Sequence, residues 1–156
     1  MNHEDTLSEN FKNLEQIASA KSEIINNINT NGSLVLNADD NFFKKHRKLG
    51  LNKNLKIYSF SLSKPSANVY IKKITKLKNK FKILININKQ QKNFFVKTIF
   101  ESNLKNILAA IAVISIFRDI KKLNENIFYN FINLKGRGDI SKIRINRKII
   151  KFIDES

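Results

Sequence analysis

Lys21, Asn37, Asp39 and Asp40 fall close together in one stretch of the chain. A cation, an amide and carboxylates held near one another could grip a nucleotide and its metal: ammonium for phosphate, amide for a base edge, carboxylate oxygens for magnesium. The same residues also suit an ordinary helix–strand–helix unit, in which Asp39 or Asp40 caps the second helix and Lys21 lays its stem along the first.

The elements that must position them are readable. Phe11, Leu14, Ile17, Ala18, Ile24, Ile25 and Ile28 recur at spacings of three and four, which predicts a helix over 10–27. Lys21 lies on or beside its apolar side. Asn31-Gly32 is a turn signal, residues 33–37 a short apolar strand, and a helix follows to Leu49 with Gly50 as its stop. A strand at 55–60 reads as central and parallel, and Pro65 marks the linker after it. Residues 68–77, 80–88 and 94–99 alternate apolar and polar, an antiparallel meander with turns at Asn79-Lys80 and at 89–92. KKITKLKNKFK then puts its lysines on the wet side. A buried helix spans 102–117 with Ser102 as N-cap, and a second helix covers 124–133 with Ile127, Phe128, Phe131 and Ile132 inward. Gly136-Arg137-Gly138 forms a loop, and strands at 142–145 and 149–153 close the chain. The sum is an α/β domain, a mostly parallel sheet flanked by helices plus a small antiparallel sheet. Ligands in such folds sit at the carboxyl ends of strands, where 37–40 and 154–156 both fall.

With 156 residues and 42% hydrophobic content the chain is one domain with a real core. It has no cysteine, which excludes disulfides and thiolate metal sites. The polar start MNHEDTLSEN is no signal peptide, and the apolar run 107–117 is too short for a bilayer, so a cytoplasmic location with no membrane partner is expected. The net charge of +16 raises a nucleic-acid reading. Lys, Asn and Ile are overused together, however, and all three have AT-rich codons. Compositional bias therefore accounts for the basic excess without a polyanionic partner.

AKSEI at 20–24, NGSLVLNADD at 31–40, SNLKNILAAIAV at 102–113, KGRGD at 135–139 and FIDES at 152–156 resemble, in order and spacing, the central ATP-binding domain of the Mur ligases. LNADD and IDES resemble most the MurF branch, which adds D-alanyl-D-alanine to the UDP-N-acetylmuramoyl tripeptide of peptidoglycan synthesis. The resemblance implies ATP-dependent amide formation through an acyl phosphate, with ATP and Mg2+ as cofactors and UDP-MurNAc-peptide and D-Ala-D-Ala as partners. It implies further that Lys21 is the lysine carried as a carbamate, a magnesium ligand favoured by partial burial of the amine. Asn37 and Asp39 match the nucleotide-side strand end, with Asp40 beside them. Asn103 and Asn106 match helix-opening asparagines near adenine, and Arg137 a phosphate- or ribose-gripping arginine. Asp154, Glu155 and Ser156 match the start of a further nucleotide-side segment. His3 is a weaker match to a magnesium-proximal histidine, whereas His46, on a lysine-rich helix, reads as solvated. Glu23 reads as a solvated helix residue.

Departures are equally specific. The family's G-x-H-N opening stands here as Phe100-Glu101-Ser102-Asn103, and no G-x-x-x-x-G-K-[ST] phosphate loop is present. The expectation is a partial domain from a truncated gene model or split gene, with little ligase activity alone and a complementing fragment supplying the loop. The competing readings are a small basic nucleic-acid-binding protein, whose affinity would fall steeply with salt, and an inactive scaffold.

Overall fold

A computed structural model of the chain describes residues 14–131, 139–145 and 148–154. The element order is α1 (Leu14–Asn27), β1 (Ser33–Asn37), α2 (Phe43–Asn52), β2 (Lys56–Ser61), β3 (Val69–Lys76), β4 (Phe81–Ile87), β5 (Gln90–Val96), α3 (Glu101–Phe117), a 3-10 turn (Ile120–Lys122), β6 (Asp139–Ile145) and β7 (Lys148–Asp154).

β1 to β5 form one mixed sheet in sequence order. β1 and β2 run parallel in register from Ser33↔Lys56 to Asn37↔Phe60. β2 and β3 are also parallel but touch only at Phe60↔Val69 and Ser61↔Tyr70. β3 therefore starts where β2 ends, and a short loop replaces the long crossover that fully overlapping parallel strands need. β3, β4 and β5 then pair antiparallel. The antiparallel strands expected from alternation thus extend the parallel pair into a single sheet. Lys72, Lys73, Lys76 and Lys78 are exposed, as the pattern predicts, whereas Lys80 and Lys82 are half-buried.

Alternation sends each strand's residues to opposite faces, and helices cover both. On one face Ile25 of α1 packs with Leu34 and Leu55, joined by Leu36, Leu49 and Ile57. On the other, Leu104, Ile107, Leu108, Ile111 and Ala112 of α3 pack on Val69, Ile83, Ile85, Ile87, Phe94 and Val96. Each of these Leu, Ile, Val and Phe side chains contributes about 1.5–3 kcal/mol on full burial, so the α3 face, with the larger number of them, is the main core. α3 is not buried all round: Val113 and Phe117 on its far side are exposed.

Several expected details differ. α2 continues through Gly50 to Asn52. A Cβ at Gly50 would lie 2.6 Å from Ile57 Cδ1 and 2.9 Å from Leu34 Cδ2, so this glycine lets the helix approach the sheet rather than ending it. The hairpin before β5 turns at Asn88 and Lys89, with φ of 48° and 70°, and β5 begins at Gln90 instead of Phe94. Two consecutive left-handed residues make the tight turn that suits twisted antiparallel strands. Ser102 lies inside α3, whose N-cap is Phe100 and has no side-chain cap bond. Residues 124–131 form hydrogen-bonded turns and no α-helix. Phe128 there meets Phe94 edge-on at 5.5 Å, and Glu125 O accepts the Phe95 amide at 2.9 Å. Ile127 and Phe131 are exposed, while Ile132 and the Gly136–Gly138 loop lie outside the described residues. β6 and β7 pair antiparallel as a separate two-stranded sheet. Among the described residues no helix is long and apolar enough to cross a membrane.

Candidate functional site

Lys21 sits between the buried Ala18 and Ile25 of α1, on the margin of the apolar stripe. Its side chain is 59% exposed and its Nζ stands 3.9 Å from Asp40 Oδ2. The partial burial expected of this lysine is therefore not found among the described residues.

The turn after β1 gathers the other polar groups. Asn37, the last residue of β1, accepts the Asp39 amide on Oδ1 at 2.9 Å, and its Nδ2 donates to nothing among the described residues. Asp40 Oδ1 accepts the Phe42 amide at 2.7 Å. Neither aspartate caps α2 by its side chain, because the N-cap position is Phe42 and carries no side-chain cap bond. Asp40 instead fixes the turn ahead of the helix.

Asp39 reaches across to the end of β2. Its Oδ1 accepts the Ser61 hydroxyl at 2.7 Å and its Oδ2 the Leu62 amide at 2.8 Å. Lys64 Nζ lies 3.6 Å from Asp39 Oδ1 and donates to Ala38 O at 2.6 Å. Burial pushes the Asp39 carboxyl up, but the Leu62 amide, the Ser61 hydroxyl and Lys64 together outweigh it and hold it below the ordinary 3.8. Asp39 is thus an ionised brace joining the ends of two parallel strands. Ser61 and Lys64 were not singled out from sequence. Their signal is a hydroxyl closing a strand with a lysine three residues on, beside the carboxyl end where ligands bind.

Asn103 and Asn106 lie one turn apart near the start of α3. Asn103 is 2% exposed, and its Oδ1 has no hydrogen-bond partner among the described residues. A buried amide oxygen without a donor is costly, so it marks a place for a ligand or water donor. Asn106 is exposed. Asp154 ends β7 opposite Asp139. His3, Arg137, Glu155 and Ser156 lie outside the described residues.

His46 corrects the expectation of a solvated histidine. It is 5% exposed, and Nε2 is 3.1 Å from Ala18 O of α1, so it ties the two helices together. Glu23 is exposed, as expected. Among the described residues no three His, Cys, Asp or Glu side chains form a metal-holding group. Asp39 is occupied by protein donors, which leaves Asp40 as the carboxylate beside Lys21.

Residues 4–114 match the family model described as the Mur ligase middle domain. The UDP-N-acetylmuramate–L-alanine ligase of Borreliella afzelii (strain PKo) is 27% identical over 93% of this chain and 31% of its own length. MurF from Acinetobacter baumannii superposes with a TM-score of 0.67 at 21% identity, over 91% of this chain and 29% of that one. MurF from Thermotoga maritima in complex with ADP superposes at 0.58 with 18% identity, over 81% of this chain and 28% of that one. The chain spans under a third of the length of these proteins.

Proposed function

The chain belongs to the Mur ligase middle-domain family, and from that premise we propose that it is the ATP-side portion of an amide-forming ligase of peptidoglycan precursor synthesis. The observation that carries this is the extent of the family match, which takes in Lys21, Asn37, Asp39, Asn103 and Asn106 together. The reaction is phosphorylation of a substrate carboxylate by ATP, attack of an amine on the acyl phosphate, and release of phosphate. The chain's own groups position ligands rather than exchange protons.

Asn103 fits a nucleotide. Its orphaned Oδ1 would accept from an exocyclic amine such as that of adenine, and Asn37 Nδ2 is free to donate. The fit to magnesium is narrower. Lys21 as a carbamate and Asp40 would offer oxygen ligands, and bound magnesium would neutralise phosphate charge. Arg137, Asp154 and Glu155 complete the proposed nucleotide set, with His3 as an accessory metal ligand.

Within the family we assign the chain to the MurF branch, with UDP-MurNAc-tripeptide and D-Ala-D-Ala as substrates. LNADD at 36–40 supports this. The Borreliella relative, named for L-alanine addition to UDP-N-acetylmuramate, supports the sister activity. The sequence holds no phosphate loop, so the chain turns over only with a complementing segment that supplies one. The test is ATP-dependent phosphate release with each substrate pair, with and without that segment. Release with D-Ala-D-Ala only in the reconstituted protein supports the assignment. Release with L-alanine moves it to the sister branch, and strong turnover by the chain alone refutes the need for a second segment.

A further inference from the structure

α2 carries its charges against two local rules. Lys44 lies in the first helical turn, where the macrodipole disfavours a cation, and no acidic residue offsets it there. Lys44, Arg47 and Lys48 are spaced three and four apart, so like charges share one face and repel. Among the described residues none of these three side chains makes an ion pair or hydrogen bond. All three converge on a groove of about 600 Å³, a size that suits a small-molecule ligand. Its apolar lining includes Phe43, Leu51 and Ile57, and no carboxylate lines it. The nearby acids are engaged elsewhere, Asp39 with Ser61, Leu62 and Lys64, and Asp40 with Phe42 and Lys21.

We propose that this groove binds a small molecule bearing more than one phosphate, with its phosphates on Lys44, Arg47 and Lys48 and its apolar body against Phe43, Leu51 and Ile57. Codon bias supplies lysines anywhere on a surface. It does not explain three unpaired cations meeting in one concave, carboxylate-free site, and broken local rules without internal compensation mark functional positions. Arg47 adds a planar fork that takes two phosphate oxygens at once, while the two lysines act as point charges. None of the nucleotide-side residues named above lines this groove.

The test is calorimetric titration of inorganic tripolyphosphate into the full chain at physiological salt. Arg47→Ala and Lys48→Ala should each weaken binding by about tenfold. Lys72→Ala, at an exposed lysine of β3, should leave affinity within about twofold. Amide shift mapping on the unmodified chain, which does not depend on any variant folding, should show changes confined to α2 and the facing residues Ser66 and Asn68. Absence of binding overturns the proposal, as does equal weakening by Lys72→Ala. Loss of affinity in Lys21→Ala or Asn103→Leu, with Arg47→Ala unaffected, places the phosphate at the nucleotide side and also overturns it.

Discussion

Asp39 Oδ1 accepts the Ser61 hydroxyl at 2.7 Å, across 22 residues of sequence, and so locks the carboxyl end of β1 to that of β2. The Leu62 amide completes the clamp on the second oxygen. Asp39→Ala leaves the hydroxyl and the amide without their acceptor and should cost about 1–3 kcal/mol. The folded carboxyl titrates below its ordinary 3.8, so the unfolded chain binds the proton more readily. The stabilisation is therefore complete above the unfolded value and is lost as pH falls through the lower folded one. Denaturant melts at neutral pH and near pH 3 should show an acid-sensitive component that Asp39→Asn removes. An unchanged acid dependence in that variant would count against the clamp.

His46 should matter more than its lysine-rich neighbourhood suggests. Its ring is buried, and Nε2 must carry the proton to donate to Ala18 O at 3.1 Å. His46→Ala removes that bond and leaves a void between α1 and α2, for a loss of about 2–3 kcal/mol. A urea midpoint indistinguishable from the parent protein would refute the tie.

What was legible in the sequence follows from period, and what was hidden follows from distance or from ambiguous residues. The alternation of β3 and β4 and the stripe of Leu104, Ile107, Leu108 and Ile111 announce their elements, because a buried face writes its own repeat. The Asp39–Ser61–Lys64 cluster carries only the faint local signal of Ser61 and Lys64 three residues apart, since Asp39 joins them only once two strands pair. Glycine signals a helix stop and a close approach equally well, so sequence alone does not tell that Gly50 serves the approach. The burial of His46 is hidden in the sequence, because flanking cations say nothing about the helix face it shares with Gly50, four residues on. Lys89 is an unusual residue for a left-handed turn position, so the sequence does not announce that β5 starts at Gln90.

Gly50→Ala sets two effects against each other. The helix gains about 1 kcal/mol of propensity. The new methyl would stand 2.6 Å from Ile57 Cδ1 and 2.9 Å from Leu34 Cδ2, and overpacking of this kind costs about 1–3 kcal/mol. A net loss of about 1 kcal/mol is expected. Ile57→Val deletes the nearer atom, so in that background the alanine should become neutral or stabilising. A double-mutant cycle by chemical denaturation reads the coupling, and additive effects would show that the approach at Gly50 is not tight.

Asn103 should trade stability against ligand. Its buried Oδ1 has no partner, and replacing an unsatisfied amide by an apolar group of similar shape recovers its desolvation cost. Asn103→Leu should therefore stabilise the chain by about 1 kcal/mol while abolishing any stabilisation by added ADP in a thermal shift assay. A destabilised variant would mean the oxygen is already satisfied, for example by a buried water. An ADP-induced shift retained in the variant would remove Asn103 from the nucleotide set.

Lys21 faces Asp40 at 3.9 Å, and that neighbour would set the condition for the carbamylation proposed above. As an ammonium, Lys21 is attracted to the Asp40 carboxylate. As a carbamate it would be anionic, and the same separation would become a repulsion between like charges. Lys21 is also largely exposed, so the approach of carbon dioxide is open. A divalent cation shared by the two anions would reverse the sign. Carbamylation should therefore depend on magnesium. With 13C-labelled bicarbonate, the carbamate carbon signal should rise on addition of magnesium and vanish in Lys21→Arg. Asp40→Asn should lessen the magnesium requirement, since it removes the repelling charge. A carbamate signal that ignores both magnesium and Asp40 would show that this pair does not govern the modification.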